Sequence, residues 1–493
     1  MYKPDRLLYP LIILVLINLF SCQEGLENYS NNPQDLLSFS VDTLSFDTVL
    51  TTVNSPVLSF MVYNNNTKPL LISSVQLAEG ANSDFKINVD GIAGASFQNV
   101  EILAKDSLYV FVNVTPRENG QYTPTVFNDY VVFETNGTQQ KVVLEACGQD
   151  VYTWRGIVLS ADSILDNKKP YLIYDSLVID KGATVEIGEG SAFYMYNNAR
   201  LIVNGTVKMK GTVENPVVFR GSRTDYMITI PYDLISGQWG GIYFAPDSYD
   251  NSLENVRIRN GRYGMNLDVC DDPSRSKLSM KNVVLTNVSG DLLQAVNCNI
   301  TAENCEFSNA GGALLNIVGG SSLFTQCTIV NYYPYNPKAG WANSDNATLI
   351  LSDAIINSDG EEDDYPVISA EFYNSIIWGA KYASTSVVQI ISVDSIPYLF
   401  KNCLIPNGEP DETQVIDCIF QAVDSLLFQK IDPNDWVKNA WYPSFNFHLR
   451  KDSPARDVGN VEIANQVPYD MDGYYRLTDG LPDLGAYEYH DEQ

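Results

Sequence analysis

The chain has 493 residues, which is enough for several domains. It contains 60 acidic and 31 basic residues, and its formal net charge at pH 7 is −29. This charge excludes nucleic acid as a partner, because contacts to phosphate need a basic surface. The two histidines, His448 and His490, both lie near the carboxyl end, so the rest of the chain has no imidazole for acid–base catalysis.

Residues 1–22 have the composition of an export signal. Lys3 and Arg6 precede an apolar run, Leu11–Phe20, that is too short for a comfortable membrane span. The run leads into Leu19-Phe-Ser-Cys22, which resembles the lipobox of bacterial lipoproteins. The resemblance implies cleavage before Cys22 and a lipid on that residue, which would attach the protein to a membrane. An ordinary signal peptide with a chance cysteine is the alternative.

Residues 23–35 are polar and are predicted to be a tether. The acidic segment Gln23-Glu-Gly-Leu-Glu27 resembles the surface-export signals of some Gram-negative lipoproteins. The resemblance implies a lipid-anchored protein of the outer membrane that faces the cell exterior.

Residues 36–150 contain short runs of alternating apolar residues, such as Leu58–Tyr63, separated by turn residues such as Asn136-Gly137. This spacing predicts a β-sandwich. The phrases Val112-Asn-Val-Thr-Pro116 and Val142-Val-Leu-Glu-Ala-Cys-Gly148 resemble those of Hydin-type immunoglobulin-like domains. That resemblance implies a spacer or a binding module.

Residues 151–430 contain an eight-residue phrase that recurs, first as Leu253-Glu-Asn-Val-Arg-Ile-Arg-Asn260. A short period indicates one structural unit stacked on itself, and steps of 21 to 28 residues fit one turn of a β-solenoid. Asn and Asp tolerate the left-handed backbone of a sharp corner, and stacked amides can hydrogen-bond to each other along the axis. The third position of the phrase is therefore predicted to form a ladder. Its residues are Asn255, Asn282, Asn304, Gln326, Asp353, Asn374, Asn402 and Asp417.

The phrase also predicts which side chains face inward. Strand side chains alternate, so the fourth and sixth positions share the interior face and the fifth position points outward. In the late copies this outward position is apolar, and an exposed apolar stripe needs a cover. We expect the chain's own tail to be that cover, and a partner subunit is the alternative. The stripe residues are Ile355, Ile376, Leu404 and Ile419, and the covering residues are Trp436, Trp441, Tyr442 and Phe445.

An earlier stretch alternates apolar residues and breaks at glycines in the same way, as in Leu177–Gly190 and Leu201–Gly211. Together with the repeat, it resembles the right-handed parallel β-helix proteins of the pectate-lyase-like superfamily. The expected fold is all-β: an immunoglobulin-like β-sandwich, then a right-handed parallel β-helix, and then a C-terminal cap. The resemblance is specific for fold and unspecific for function.

Seven cysteines follow Cys22. Four occupy the interior fourth position of the repeat, where a thiol acts as a compact apolar group, and we predict that they are free thiols. A bridge between neighbours is the alternative, because one coil step lies within disulfide range. No cysteine spacing typical of zinc occurs, and no metal site is predicted. The four residues are Cys305, Cys327, Cys403 and Cys418; Cys270 and Cys298 fall on neighbouring strands or turns.

Residues 431–493 contain Asp470-Met-Asp-Gly-Tyr-Tyr-Arg476 and Pro482-Asp-Leu-Gly-Ala-Tyr-Glu488. These phrases resemble the closing segment of bacterial surface β-helix proteins known as choice-of-anchor Q domains, which implies a cap over the last coils. Arg476 is expected to pair with Asp470 or Asp472 and to hold the cap. The alternative is a calcium ion bound by the Asp-x-Asp-Gly loop, and no other cofactor is predicted.

A basic cluster in the repeat is the candidate glycan-binding site. Arg257 and Arg259 are predicted to point outward, with Arg262 and Tyr263 just beyond the next turn. Guanidinium groups hold carboxylates and sulfates through bidentate hydrogen bonds. The alternative is that these arginines neutralise neighbouring acidic loops. No catalytic residue is predicted, since only Asp271-Asp272 matches a motif of polygalacturonase-like helices.

Sugar is also expected on the protein itself. Several triplets of Asp, then Ser or Thr, then an apolar residue resemble the O-glycosylation acceptor pattern of one phylum of Gram-negative anaerobes. The alternative is that these pairs start strands at turns. The candidate acceptors are Thr43, Thr48, Ser107, Ser163, Ser176, Ser395 and Ser425.

These patterns support two hypotheses about function. The first is a lipid-anchored cell-surface protein without enzymatic activity, a glycan-binding or adhesin-like module whose partner is a glycan or another surface protein. The rival is a surface polysaccharide lyase or glycoside hydrolase that acts on an anionic glycan. The rival requires an arginine or lysine that faces two or more carboxylates on adjacent coils.

Overall fold

The computed structural model describes residues 29–227, 230–333, 347–357, 359–379, 387–392, 395–406, 412–422, 424–432 and 444–491. Cys22, residues 23–28 of the predicted tether and the tail aromatics Trp436, Trp441 and Tyr442 lie outside these ranges. The described chain divides into two compact units, with the boundary between Asp150 and Val151. No helix in the described ranges is long and apolar enough to cross a membrane.

The first unit consists of two sheets of five strands each, in the orders β1-β3-β8-β5-β6 and β2-β10-β9-β4-β7. Buried and exposed side chains alternate along strands such as β8, and the buried ones from both sheets form one core that includes Phe60, Val110, Phe133 and Leu144. The strands are β1 Ser38–Phe39, β2 Thr43–Leu50, β3 Leu58–Tyr63, β4 Leu70–Leu77, β5 Phe85–Val89, β6 Ile92–Gly94, β7 Ser96–Ile102, β8 Ser107–Val114, β9 Thr125–Thr135 and β10 Thr138–Gln149.

The second unit is built on a 24-stranded sheet whose pairings are parallel. Its strands are β11 Tyr152–Leu159, β12 Ser163–Leu165, β13 Tyr171–Ile179, β14 Thr184–Gly188, β15 Ala192–Met195, β16 Arg200–Val203, β17 Thr206–Lys210, β18 Val217–Gly221, β21 Ile242–Phe244, β22 Asn251–Arg259, β23 Met265–Leu267, β24 Ser276–Val288, β25 Leu293–Val296, β26 Asn299–Glu303, β27 Glu306–Ala310, β28 Leu315–Val318, β29 Gly320–Thr325, β30 Thr328–Asn331, β31 Leu349–Ser352, β34 Val367–Tyr373, β35 Ile376–Gly379, β36 Val388–Ile391, β37 Tyr398–Lys401 and β38 Val415–Ile416.

Smaller elements lie outside that sheet. They are the hairpins β19 Tyr226–Met227 with β20 Ile230–Pro231, β32 Ala354–Ile356 with β33 Glu362–Asp364, and β39 Phe428–Asp432 with β40 Ser444–Leu449. The helices are α1 Asp424–Leu427 and α2 Val461–Ala464, with single 3₁₀ turns at Gly80–Asn82, Tyr232–Leu234 and Glu412–Gln414.

The parallel strands stack in three rows, an arrangement compatible with a β-helix. Row one runs through β15, β18, the second halves of β22 and β24, β27, β30 and β35. Row two runs through β16, β21, β23, β25, β28, β31 and β36. Row three runs through β14, β17, the first halves of β22 and β24, β26, β29, β34 and β37.

The third position of the repeat forms the predicted corner, between rows three and one. Asn255, Asn282 and Asn304 have φ of 51°, 54° and 56°, in the left-handed region that asparagine tolerates. Their amides form the predicted ladder: Asn282 Nδ2 donates to Asn255 Oδ1 at 3.1 Å, and Asn304 Nδ2 donates to Asn282 Oδ1 at 2.7 Å. Gln326, Asn374, Asn402 and Asp417 also have positive φ. The third position therefore recurs because one corner of these coils requires a residue that tolerates the left-handed backbone conformation.

One predicted copy is wrong. The backbone of Asp353 is not in the left-handed conformation. The sixth residue of its phrase, Ile356, was predicted to be buried but is 76% exposed. The residues around it form the β32–β33 hairpin, and β30 stacks directly on β35. One coil therefore spans the 48 residues from Gln326 to Asn374 and carries insertions. The sequence of this insertion matches the phrase, so the sequence analysis counted it wrongly as a separate coil.

The interior positions of the other copies are largely as predicted. Val256, Cys305, Phe307 and Ile377 are fully buried in one continuous core. The last copy departs from the pattern, because Phe420 is exposed. The interior-row cysteines, Cys305, Cys327, Cys403 and Cys418, are free thiols and donate to backbone carbonyls, such as Cys305 Sγ to Glu303 O at 3.2 Å.

The tail, residues 424–432 and 444–491, covers the outward stripe as predicted. Ile376 and Leu404 stack in register, are fully buried, and pack in one cluster with tail side chains such as Phe447 and Leu484. Ile419 and the tail's Phe445 are partly buried against the same cluster. Ile355 is not part of the stripe, because it lies in the β32–β33 hairpin. The stripe therefore has one coil fewer than the sequence predicted.

Replacing Asn304 with leucine is expected to lower the free energy of unfolding by about 1–3 kcal/mol, because the ladder bond, the hydrogen bond from Arg476 and the residue best suited to positive φ are all lost. Thermal denaturation measures this. Ser279→Ala is the matched control, since Ser279 is exposed in a neighbouring strand. Thr328, which the sequence placed on an exposed strand, is not a suitable control because it is buried and its Oγ1 accepts from Ala486 N. Equal midpoints for Asn304→Leu and Ser279→Ala would contradict a stabilising ladder.

Candidate functional site

The corner between rows one and two carries an exposed group of tyrosines and arginines. The rings of Tyr174 and Tyr196, on successive coils, lie 4.6 Å apart between centroids. The guanidinium of Arg155 lies over the Tyr174 ring at 4.2 Å, and it also pairs with Asp175 at 3.3 Å. Burial first, and then Tyr196, raise the pKa of Tyr174, so its hydroxyl stays protonated at neutral pH. We call this set, with Arg262 and Tyr263, the tyrosine–arginine corner.

Arg262 and Tyr263 extend the corner along the axis. Both are exposed, and Arg262 Nη2 donates to Asn198 Oδ1 at 3.3 Å. The Tyr263 ring rests on Gly290, where a Cβ atom would approach the ring to 2.7 Å. The absence of a side chain at Gly290 therefore positions this aromatic face. Both residues were sequence candidates and both are accessible to a ligand.

Arg259 is placed differently. Its guanidinium makes two hydrogen bonds to the carboxylate of Asp233, at 2.8 and 3.2 Å. Arg220 pairs with the same carboxylate at 3.2 Å. Burial lowers the pKa of Arg220, and Asp233 opposes that shift. Arg259 is therefore neutralised by a neighbouring acidic loop, the alternative that the sequence left open.

Arg257 lies where the tail passes over row one. Its Nη1 donates to Asn282 O at 3.0 Å and contacts Met471 Sδ at 3.8 Å. The outward side chains that follow it in the same column also meet the tail: Tyr487 Oη donates to Glu306 Oε2, and Ala486 N donates to Thr328 Oγ1 at 2.9 Å. Arg257 is half-buried against the tail and lies apart from the tyrosine–arginine corner.

The tail is anchored by Arg476, which is 1% exposed. Its guanidinium pairs with Glu488 at 2.5 Å and donates to Asn304 Oδ1 and to Ala486 O. The predicted pairing of Arg476 with Asp470 or Asp472 is therefore wrong. Asp470 instead accepts backbone N–H groups from Asp472, Tyr474 and Glu488. The carboxylate of Asp470 therefore holds the surrounding backbone in place. Among the described residues, no group of three side chains that could bind a metal ion occurs.

Two buried acids within the tail predict a pH dependence. Burial raises the pKa of Asp483 to about 6 and that of Glu488 to about 8, although backbone amides oppose the first shift and Arg476 opposes the second. The unfolded values are about 3.9 and 4.3, so the folded protein holds protons that the unfolded chain releases. This contribution to stability is present at low pH and is lost as the pH rises from about 4 to about 8.

Asp483→Asn is expected to remove part of this dependence of the free energy of unfolding on pH. Between about pH 4.5 and pH 7.5 the free energy of unfolding of the wild type should fall by on the order of 2 kcal/mol more than that of the variant. The reason is that the pKa of Asp483 is about two units higher in the folded protein than in the unfolded chain. Chemical denaturation of both proteins across this range measures the difference. Asp452→Asn, at an exposed acid of the tail, is the control and should follow the wild type. Parallel pH curves for wild type and Asp483→Asn would contradict the expectation.

Charged residues also meet between rows two and three. Arg275 pairs with Asp250 of the preceding coil, and Asp272 lies beside it. Lys181 pairs with Asp247, and that hydrogen-bonded pairing raises the lysine's pKa. This is an arginine with two nearby carboxylates, as the enzymatic hypothesis requires, although its guanidinium is already engaged.

Three of the seven candidate acceptors of sugar lie at the starts of strands. Thr43, Ser107 and Ser163 are the first residues of β2, β8 and β12. The aspartates before Thr48 and Ser107 accept the next backbone N–H, each at 2.8 Å. Thr43 and Ser395 are exposed, and Thr48, Ser107, Ser163 and Ser176 are half-buried; Ser425 lies in α1, and its side chain falls outside the described part of the chain.

Comparison with known proteins adds little. No family model and no curated protein matches the chain. A family 123 glycoside hydrolase from Clostridium perfringens is 9% identical over 23% of this chain and 26% of its own, with a TM-score of 0.16. A PapD-like domain of human CEP192 is 12% identical over 26% of this chain and 95% of its own, with a TM-score of 0.17.

A protein of unknown function from Porphyromonas gingivalis W83 is 13% identical over 27% of this chain and 60% of its own, with a TM-score of 0.18. This chain spans about a quarter of the length of the glycoside hydrolase. None of the three similarities assigns a fold or a function to this chain.

Proposed function

We propose that this chain is a lipid-anchored protein of the cell surface that binds glycan along a right-handed parallel β-helix without cleaving it. The observation that carries the proposal is the tyrosine–arginine corner, where exposed rings and guanidinium groups repeat on stacked coils. Flat aromatic faces pack against sugar rings, and guanidinium groups hydrogen-bond to their polar substituents. The immunoglobulin-like unit, which follows the lipidated residue in the chain, would serve as a spacer.

The test is a glycan array probed with the purified soluble chain and with Tyr196→Ala. Loss of one aromatic face should weaken binding by about tenfold or more, which corresponds to about 1.4 kcal/mol. Tyr122→Ala is the matched control, because it removes an exposed tyrosine from the first unit. Binding that survives Tyr196→Ala, or falls equally in the control, would contradict a role for the corner.

The enzymatic alternative is favoured by the meeting of Arg275 with Asp250 and Asp272. It is tested by incubating the protein with anionic polysaccharides, with and without calcium, and measuring chain length. Cleavage that is lost in Arg275→Ala would replace the binding proposal with a lyase or hydrolase. Binding without any change in chain length supports the proposal.

The lipid anchor is tested at Cys22, which lies before the described residues. Cys22→Ala in the full-length precursor is expected to abolish processing and lipid attachment, because the thiol is the acceptor in a lipobox. Membrane fractionation and metabolic labelling with a fatty acid report the outcome. A variant that still fractionates as a processed, lipid-labelled protein would show that the anchor is elsewhere.

A further inference from the structure

Two buried thiols on neighbouring coils lie closer than unbonded sulfur atoms pack. Cys270 Sγ and Cys298 Sγ are 2.9 Å apart, and the two residues are 28 positions apart in the chain. One backbone and one side-chain hydrogen bond hold the two coils in register here, since Cys270 N donates to Val296 O at 3.2 Å and Asn297 Nδ2 donates to Cys270 O at 3.0 Å. The sulfur atoms therefore face each other because of the stacking of the coils.

A buried lysine lies beside this pair. Lys277 is fully buried, and its ammonium donates to Ala245 O and, at 3.1 Å, to Pro246 O. The hydrogen bond from Cys298 and then the charge of Lys277 lower the pKa of Cys270, whereas the hydrogen bond to Cys270 and burial raise that of Cys298. A thiolate is the attacking species in disulfide exchange, so Cys270 is the thiol prepared to react first.

We propose that Cys270 and Cys298 are a modification site at which a disulfide joins two neighbouring coils. The oxidant is a disulfide-bearing molecule, either a protein thiol oxidase or oxidised glutathione. The Cys270 thiolate attacks one sulfur of the oxidant and releases one thiolate. The Cys298 thiolate then attacks the Cys270 sulfur and releases the second. The two protein thiols lose two protons and two electrons, and the oxidant becomes two thiols.

The bridge would act on the segment between rows two and three. It closes a loop of one coil at the base of the 271–275 segment, which carries Arg275 and its aspartate neighbours. Cross-linking a loop of this length restricts the unfolded chain more than the folded one. Because both thiols are buried in the folded protein, the exchange occurs late in folding, after the coils have stacked and placed Lys277 beside Cys270 and before the pair is closed off from solvent. The inference is independent of the proposed glycan binding, since it rests on other residues.

The experiment is refolding of the reduced chain, residues 29–493, with and without oxidised glutathione. Denatured products are alkylated without reduction and mapped by mass spectrometry. With oxidised glutathione we expect a peptide pair linked through Cys270 and Cys298, a mass two hydrogen atoms lower, and a thermal midpoint several degrees above that of the reduced form. Cys305→Ser is the matched control, because it removes a buried thiol and should leave the linked pair intact.

Cys298→Ser should abolish the link and leave Cys270 alkylated. If that variant does not fold, the peptide map of the wild type still decides. Full alkylation of all seven thiols after oxidative refolding, or a link between Cys305 and Cys327 in place of the proposed one, would overturn the inference.

Discussion

Above about pH 8, where Glu488 is ionised, replacing Arg476 with methionine is expected to lower the free energy of unfolding by about 3–5 kcal/mol, the usual cost of removing one member of a buried ion pair. Methionine preserves much of the side chain's volume and removes every donor. The carboxylate of Glu488 would lose its cationic partner, and Asn304 Oδ1 and Ala486 O would lose a hydrogen bond each. Thermal and chemical denaturation measure the loss.

The matched control is Arg450→Met, which removes an exposed arginine that pairs with Asp452 at 3.2 Å. An exposed ion pair contributes about 0–1 kcal/mol, so this variant should unfold close to the wild type. Limited proteolysis adds a second readout, because release of the tail in Arg476→Met should speed cleavage after residue 444. If both variants unfold alike, Arg476 does not anchor the tail.

Replacing Gly485 with alanine is expected to release the tail from row one. Gly485 has φ of +91°, and its N–H donates to Asn374 O at 2.8 Å. A Cβ atom there would lie 2.6 Å from Thr328 Oγ1 and 3.0 Å from Ile376 Cδ1. Ile376 is part of the apolar stripe, so the clash occurs where the tail covers it. We expect a loss of about 2–4 kcal/mol and binding of a hydrophobic dye.

Gly473→Ala is the matched control for backbone strain. Gly473 has φ of +89° but nothing within 4 Å of the added Cβ atom. Both alanines therefore have the same left-handed backbone, which costs about 1–2 kcal/mol. Only the alanine at position 485 clashes with side chains of the stacked coils. A larger loss of stability together with dye binding in Gly485→Ala alone would show that the contact matters. Equal losses in both would attribute the effect to the backbone.

The tail also decides which outer surface is free to bind a ligand. It covers the outward column from Arg257 to Leu404, whereas the tyrosine–arginine corner lies at a different corner of the coils, between rows one and two. A glycan that bound at the corner would therefore not need the tail to move. In Gly485→Ala, glycan binding should persist while stability falls.

The sequence by itself determined the stacked architecture, because its signal is local and repeated. A residue that turns a corner with positive φ must be asparagine, aspartate, glycine or a close substitute, and Asn255, Asn282 and Asn304 repeat that requirement on three successive coils. The alternation of interior and exterior positions follows from strand geometry alone. The cover over Ile376 and Leu404 was also predictable, since three or more apolar side chains in one outward column cannot remain in water.

The tertiary structure alone decided which partner each charged side chain has. Arg476 contacts Asn304, which is 172 residues away, and Glu488, which is 12 residues away. No local spacing in the sequence predicts the contact with Asn304. From the sequence, Arg259 was a candidate to bind a ligand or to neutralise an acidic loop, and the position of Asp233 on an inserted loop decides for neutralisation. The false copy at Asp353 has the same origin, since an insertion can match a phrase without stacking in its row. Ion pairs, covers and thiol contacts form between segments far apart in the chain, and only the packed coils bring those segments together.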